Sequence, residues 1–246
     1  QPSADDMLKV SKCDLFIYVG GESDTWVDDA LKSAQNKNMK VINLLDVLGN
    51  SVKEEEQVEG MQAEEEEEEG EEEGPEYDEH VWLSLKNAKT LCSSIADALC
   101  EIDSKNADVY KKNLNEYTKN LDALDKEYQQ AVNGAKYDTL VSGDRFPFRY
   151  MVDDYSLKYY AAFVGCSAET EASFETIKVL ANKVDELGVT TVLTIEDPKH
   201  KIAQTVVENT KEKNQKIFFC DFICNIRLNM LVRNKSGCQQ FRYIGF

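Results

Sequence analysis

The sequence predicts an α/β fold of two lobes of parallel sheet with flanking helices, joined by one long rigid linker helix. Three observations carry this. Strand-like and helix-like segments alternate on both sides of the chain's middle, a pattern that favours parallel sheets covered by helices. Between them a single apolar stripe holds helical spacing for about 28 residues. The acid is segregated: of 46 Asp+Glu against 28 Lys+Arg (net charge −18), 16 acids and no base lie between Glu54 and Glu79. Without that segment 30 acids face 28 bases, so a nearly neutral body carries one acidic loop. A body with no basic excess argues against nucleic acid as a partner, because displacing phosphate counterions needs a basic face. With 42% hydrophobic and 9% aromatic residues the chain has the material for packed cores.

In order, Asp14–Gly21 reads as a strand ended by two glycines, Asp24–Asn36 as a helix and Lys40–Leu45 as a second strand. The acidic loop (53–76) follows. Its breakers Gly60, Gly70, Gly74 and Pro75 predict no stable structure of its own, and Ser84–Ile102 is again helical. Tyr110, Leu114, Tyr117, Leu121, Leu124, Tyr128 and Val132 are spaced 4, 3, 4, 3, 4, 4 and define the long helix. It is expected to pack along its own chain and to end at Asn133-Gly134, a C-cap signal. Then come strand Tyr137–Val141, helix Phe146–Tyr155 with Pro147 in its first turn, and strand Tyr159–Val164. Helix Ser173–Leu187, strand Thr190–Ile195, helix Lys199–Lys213 and strand Lys216–Cys220 complete the order. The division is therefore an N-terminal lobe (1–103), a linker helix (104–134), a C-terminal lobe (135–221) and an atypical tail (222–246). No run of about 18 uncharged apolar residues spans a membrane: Ile217–Val232 is broken by Asp221, Asn225, Arg227 and Asn229. The opening Gln1-Pro2-Ser3 reads as mid-domain sequence, so the chain is expected to be a fragment or processed product.

Chemistry-bearing residues are few. Seven cysteines with no CxxC pair read as small buried hydrophobes; Cys220 and Cys224 would share a helix face but lack zinc-knuckle partners. His200 stands among cations that would repel a metal and is read as exposed. His80, in Glu76-Tyr-Asp-Glu-His-Val-Trp-Leu-Ser84, is flanked on its N-terminal side by carboxylates and by the acidic loop, and a neutral imidazole among carboxylates is a normal donor set for a first-row metal. The acidic run beside it is a solvated loop that would also concentrate hard divalent cations near His80. GxSxG, HExxH and GxxxxGK[ST] are absent, so no catalytic or cofactor-binding residue is assigned and an enzyme is not expected. A hydrolase using Asp144 and Glu169 as acid and base would rest only on the availability of carboxylates.

The segment Tyr77-Asp78-Glu79-His80-Val81-Trp82-Leu83-Ser84, the long helix and the second-lobe motifs resemble the zinc/manganese-binding proteins of bacterial ABC importers, the metal-specific substrate-binding class. The family's Asp-x-His-x-Trp-Leu-Ser/Asn motif is matched by Asp78, His80, Trp82, Leu83 and Ser84, and its Gly-Gly-x-x-x-x-Trp loop by Gly20, Gly21 and Trp26. The resemblance implies that His80 is a metal ligand and that Asp221, in Ile217-Phe-Phe-Cys-Asp221, is the last one. The third ligand position falls on Arg145, which stays protonated and cannot ligate, so Asp144 beside it takes the role or the site is built differently. Glu169 and Glu171, in a run that resembles the family's Glu-rich segment, are reserve oxygen ligands. Tyr155-Ser156-Leu157 matches a further family element.

Two departures stand out: the family's first ligand would lie upstream of Gln1, and after Asp221 the resemblance stops. The sequence 222–246 is what a frameshift or a misassembled gene end would produce. The loop, His-rich in zinc members, is here almost purely acidic. The resemblance implies capture of a divalent metal between two lobes, Zn2+ rather than Mn2+, and delivery to a membrane ABC permease. It further implies a monomer that is extracytoplasmic, as a lipoprotein or in the periplasm. The alternative is an adhesin-like surface protein of the same fold in which the metal is structural or lost.

Overall fold

The computed structural model describes residues 2–62, 76–167, 171–195 and 201–220. Ser3, in the opening segment read as mid-domain sequence, caps a helix that the sequence reading did not include, α1 (Ala4–Lys12): its Oγ accepts the Asp6 N–H and the Asp6 carboxylate accepts the Ser3 N–H. That reciprocal pair is a capping box, and acids in the first turn complement the helix dipole. The strands β1 (Leu15–Tyr18) and β2 (Lys40–Asn43) pair in parallel, Leu15 opposite Lys40 through Tyr18 opposite Asn43. The helix expected over 24–36 is only α2 (Val27–Lys32). Asp24 is used instead on the strand end, its carboxylate accepting the N–H groups of Val19 (2.8 Å) and Gly20 (2.9 Å). Strand β2 stops two residues early because the Asn43 side chain accepts the Asp46 N–H and starts α3 (Leu44–Leu48). Helix α4 (Leu85–Ile102) is capped by Ser84, whose Oγ accepts the Asn87 N–H at 3.1 Å.

The stripe forms the linker helix α5 (Ala107–Gly134), 28 residues or about 42 Å long. Leu121 is its one buried residue and the rest of the stripe is half-buried, as expected of a helix lying along a body. Tyr110 packs against the first-lobe cluster around Leu15, Ile42, Ile95 and Leu99. Toward the other end, the Tyr155 hydroxyl of the second lobe donates to Asp125 at 2.9 Å and its ring meets that of Tyr128. The expected glycine cap does not form. Gly134 stays helical, and the Ala135 N–H donates to the Val132 carbonyl at 3.1 Å.

The second sheet is built from β3 (Thr139–Arg145), β4 (Lys158–Phe163), β5 (Thr191–Thr194) and β6 (Lys216–Phe219), all parallel in the order β4-β3-β5-β6. Helices α6 (Arg149–Asp154), α7 (Phe174–Leu187) and α8 (Lys201–Glu208) connect them. Strand β3 runs four residues past its predicted end because its outer half is buried on both faces and lacks alternation. Helix α6 starts after Pro147 rather than around it. The core beneath is Val141, Ala162, Leu180, Val184, Val192 and Val206, each at most 1% exposed. Helix α7 begins at Ser173, whose Oγ accepts the Thr176 N–H, and ends at Gly188 with φ +62°, a left-handed cap that glycine adopts without a Cβ penalty.

The acidic loop departs from expectation in its first part. Residues 53–62 form no helix or strand of their own, yet they dock. Glu54 and Tyr77 form an antiparallel bridge, and the Glu55 N–H donates to the Glu76 carbonyl. The Gln62 N–H then donates to the Ala162 carbonyl on β4, an edge strand, at 3.0 Å. Val58 and Met61 pack on the cluster around Phe146, Val152 and Tyr159, while Glu59 pairs with Lys183 and Glu56 with Arg149. The rest of the loop, 63–75, and the tail 222–246 lie outside the described residues.

Candidate metal centre

Asp78 is 2% exposed, and its Oδ1 accepts the His80 main-chain N–H at 2.8 Å. Such an Asx turn needs only the two-residue spacing, so it is written locally in the sequence. The same oxygen lies 3.1 Å from His80 Nδ1. A carboxylate oxygen accepts, which assigns the ring proton to Nδ1 and leaves the Nε2 lone pair as the donor for a metal. Val81 and Leu83 are buried on either side of Trp82, whose ring centroid is 5.7 Å from that of His80, and Ser84 caps α4. The motif is therefore one continuous device that anchors, turns, presents an imidazole and starts a helix. Glu79 faces the other way. Its carboxylate accepts the Ser23 N–H at 2.9 Å, and a Cβ on Gly21 would fall 2.1 Å from Glu79 Oε1, whereas at Gly20, with φ +100°, a Cβ would fall 2.2 Å from Asn43 Oδ1.

The second lobe closes against His80 through the loop after β4. A Cβ on Gly165 would sit 3.2 Å from His80 Nδ1, and Cys166 Sγ lies 3.9 Å from the same nitrogen. Cys166 is exposed, and among the described cysteines the reading as buried hydrophobes holds for Cys92, while Cys13, Cys100 and Cys220 are half-buried. Tyr150, on α6, reaches across with its hydroxyl donating to the Asp78 carbonyl at 2.8 Å. Burial pushes its phenol up to about 12.

Asp144 is buried at the end of β3. Its Oδ2 accepts the Thr194 hydroxyl (2.8 Å) and the Ile195 N–H (3.0 Å), and its Oδ1 accepts the Arg145 N–H (2.9 Å). The carboxylate thus ties β3 to the end of β5. Arg145 points to the loop after β4, where its Nη1 donates to the Ser167 carbonyl at 2.8 Å. The described chain reaches Cys220, whose N–H donates to the Thr194 carbonyl, so the ends of β3, β5 and β6 converge beside Asp144. Asp221, Glu169 and His200 lie outside the described residues, as does Cys224. Glu171 is described and exposed. Among the described residues no group of three or more His, Cys, Asp and Glu converges as a cation cage.

Two spaces adjoin the site. A cavity of about 10 Å³ between the lobes is lined by Glu55, Glu56, Asp78, Arg149 and Tyr159 with apolar neighbours, and a larger open one of about 1000 Å³ is lined by Asp46, Glu54, Glu55, Glu56 and Lys53 among others. The second presents a carboxylate-rich mouth. Sequence reasoning saw His80 and Asp144, and Asp78 only as part of a motif. It missed Tyr150 and the close approach of Gly165 and Cys166, whose only sequence signal was their place after a strand.

Two parallel α/β bodies are thus bridged by one long helix, with an aspartate-held histidine where they meet. The family model for the periplasmic zinc-uptake complex component A, ZnuA, matches residues 1–225, and the chain belongs to that family. The zinc-binding protein AdcA of Streptococcus pyogenes serotype M3 (strain ATCC BAA-595 / MGAS315) is 30% identical over 217 residues, 87% of this chain and 42% of that protein. The zinc-binding lipoprotein AdcA of Streptococcus pneumoniae serotype 4 is 30% identical over 207 residues, 84% of this chain and 40% of that protein. This chain therefore spans less than half the length of these curated relatives. A crystal structure of ZnuA superposes with a TM-score of 0.69 at 22% identity, covering 90% of this chain and 77% of that one, a likeness of fold. The family is one of metal-binding transport components rather than enzymes.

Proposed function

We propose that this chain is an extracytoplasmic solute-binding protein that captures zinc between its lobes and delivers it to a membrane ABC permease. The observation that carries the reading is His80, its Nδ1 held by buried Asp78 and its Nε2 left as a donor at the meeting of the lobes. In this reading His80 supplies nitrogen, Asp144 and Asp221 supply oxygen, and Glu169 stands in reserve. Ligation by Asp144 replaces one of its present donors, Thr194, Ile195 or Arg145. An imidazole with carboxylates suits tetrahedral zinc, whereas manganese prefers an oxygen-rich octahedron. The relatives named as zinc-binding support the same choice. The lobes divide at 1–103 and 135–221, with 104–134 as a strut. The strut is fastened to the second lobe by the Tyr155–Asp125 hydrogen bond and packs on the first through Tyr110. Capture then proceeds by local loop movement rather than wide hinge closure. The protein acts as a monomer and is held outside the membrane as a lipoprotein or in the periplasm, in line with the pneumococcal relative's description as a lipoprotein.

Calorimetric titration of wild type and His80→Ala with zinc and with manganese tests this. Wild type is expected to bind zinc more tightly than manganese, and the variant to lose at least about a hundredfold in zinc affinity. Equal, weak zinc binding by both proteins overturns the reading.

A further inference from the structure

Tyr150 belongs to the second lobe by sequence but to the first lobe by packing. It is 2% exposed and sits in a cluster with Leu45, Leu48, Val81 and Leu91. Its hydroxyl donates to the Asp78 carbonyl at 2.8 Å and accepts the Lys53 N–H at 3.1 Å. The Lys53 carbonyl in turn accepts the Asp78 N–H at 3.0 Å. Both main-chain polar groups of Asp78 are thereby fixed, one by the tyrosine and one by a segment the tyrosine also holds. The Asp78 side chain then fixes the His80 ring. A single buried hydroxyl joins helix α6, the base of the acidic loop and the histidine.

We propose that Tyr150 is a positioning residue for metal capture: through Asp78 it lets the second lobe set the orientation of the first lobe's His80. This rests on the reading of His80 as a zinc ligand. The hydroxyl, rather than the ring, carries the role. A phenyl ring fills the same apolar cluster but leaves the half-buried Lys53 N–H and the buried Asp78 carbonyl without their partner, and the segments around Lys53 and Asp78 separate to find water. Partners that orient a ligand typically change metal affinity ten- to a hundredfold when removed, and one bond further out the lower figure applies.

The test compares zinc affinity, by competition with a chromophoric chelator, in wild type, Tyr150→Phe, Tyr155→Phe and His80→Ala, and the His80 ring nitrogen spectrum in the first three, with His80→Ala assigning its signals by their loss. Tyr155→Phe removes a hydroxyl that also binds across elements, to Asp125 on the linker helix, without touching residues 53, 78 or 80. Tyr150→Phe is expected to lose about tenfold in zinc affinity and, without metal, to replace the single Nδ1–H form of His80 with a mixture of tautomers. Tyr155→Phe is expected to change neither. A Tyr150→Phe protein with wild-type affinity and an unchanged His80 spectrum overturns the proposal, as does an equal affinity loss in Tyr155→Phe. If His80→Ala binds zinc like wild type, the reading of His80 as a ligand fails, while the ring spectrum of metal-free Tyr150→Phe still decides whether Tyr150 orients His80. Should Tyr150→Phe not fold, hydrogen exchange on wild type substitutes: zinc slows exchange of the Lys53 amide, and an unaltered rate overturns the proposal.

Discussion

Replacing Asp78 with alanine removes one buried carboxylate oxygen that serves two donors on His80, the main-chain N–H at 2.8 Å and Nδ1 at 3.1 Å. Hydrogen bonds to a charged acceptor contribute about 1.5 to 3 kcal/mol each. The main-chain donor is only half-buried and regains water, so the metal-free protein is expected to lose about 2 to 4 kcal/mol of stability. Zinc affinity falls separately, because the ring then rotates and exchanges tautomers. A ten- to hundredfold loss, equivalent to about 1.4 to 2.8 kcal/mol, is expected. Asp78→Asn separates the two effects: its amide oxygen still accepts the main-chain N–H, so most stability returns, while the loss of charge keeps the imidazole a weaker donor. Urea unfolding of the metal-free proteins reads the first quantity and chelator competition at pH 7.4 reads the second. Zinc binding by Asp78→Ala within twofold of wild type, alongside a His80→Ala that no longer binds, would refute the argument that the carboxylate sets the histidine.

Alkaline pH probes the buried acids. Burial raises Tyr150 to about 12 and Cys92 to about 11, so the folded state holds protons that the unfolded chain has released. Their stabilisation is complete below about pH 9 and lost as pH climbs toward 12, at about 1.4 kcal/mol per unit for each group within its window. Urea midpoints at pH 8.5, 10 and 11 check this, and a flat profile contradicts it. Leu180→Ala, at a site 0% exposed in the second-lobe core, is expected to cost about 3 to 5 kcal/mol with little change in zinc affinity, read by urea unfolding and titration. Changing the nine glutamates between 64 and 73 to glutamine is expected to slow zinc association several-fold at low ionic strength and much less at high, with equilibrium affinity nearly kept. Stopped-flow with a fluorescent zinc indicator measures it, and a salt-independent, unchanged rate contradicts it.

The elements whose information is local were readable from the chain. The stripe from Tyr110 to Val132 became α5, and the alternation of short apolar runs with helical ones became two parallel sheets, because periods of 3.6 and 2 depend only on neighbours in sequence. The Asp78-x-His80 turn was equally local, a side chain accepting an N–H two residues on. Where elements stop was less readable. Strand β2 gave way to α3 because Asn43 caps better than it extends, and α1 was hidden in Ser3-x-x-Asp6, a capping box too short to show a stripe. The outline of the site followed the same division. His80 carried a motif, whereas the use of Asp144 as a tie between strands depended on Thr194 and Ile195, some fifty residues away.

The sequence by itself determined the fold class, the long strut, the segregated acid and the histidine with its own aspartate. Only the tertiary structure decided what that acid and that histidine touch. The acidic loop docks through Gln62 on the edge of β4 because an edge strand leaves a carbonyl, that of Ala162, open to the Gln62 N–H. The histidine is steadied from the opposite lobe because α6 brings the Tyr150 hydroxyl to a buried carbonyl and a half-buried N–H, 72 and 97 residues distant. Such meetings follow from through-space packing and from the cost of leaving buried polar groups unpaired, and no sequence period records them.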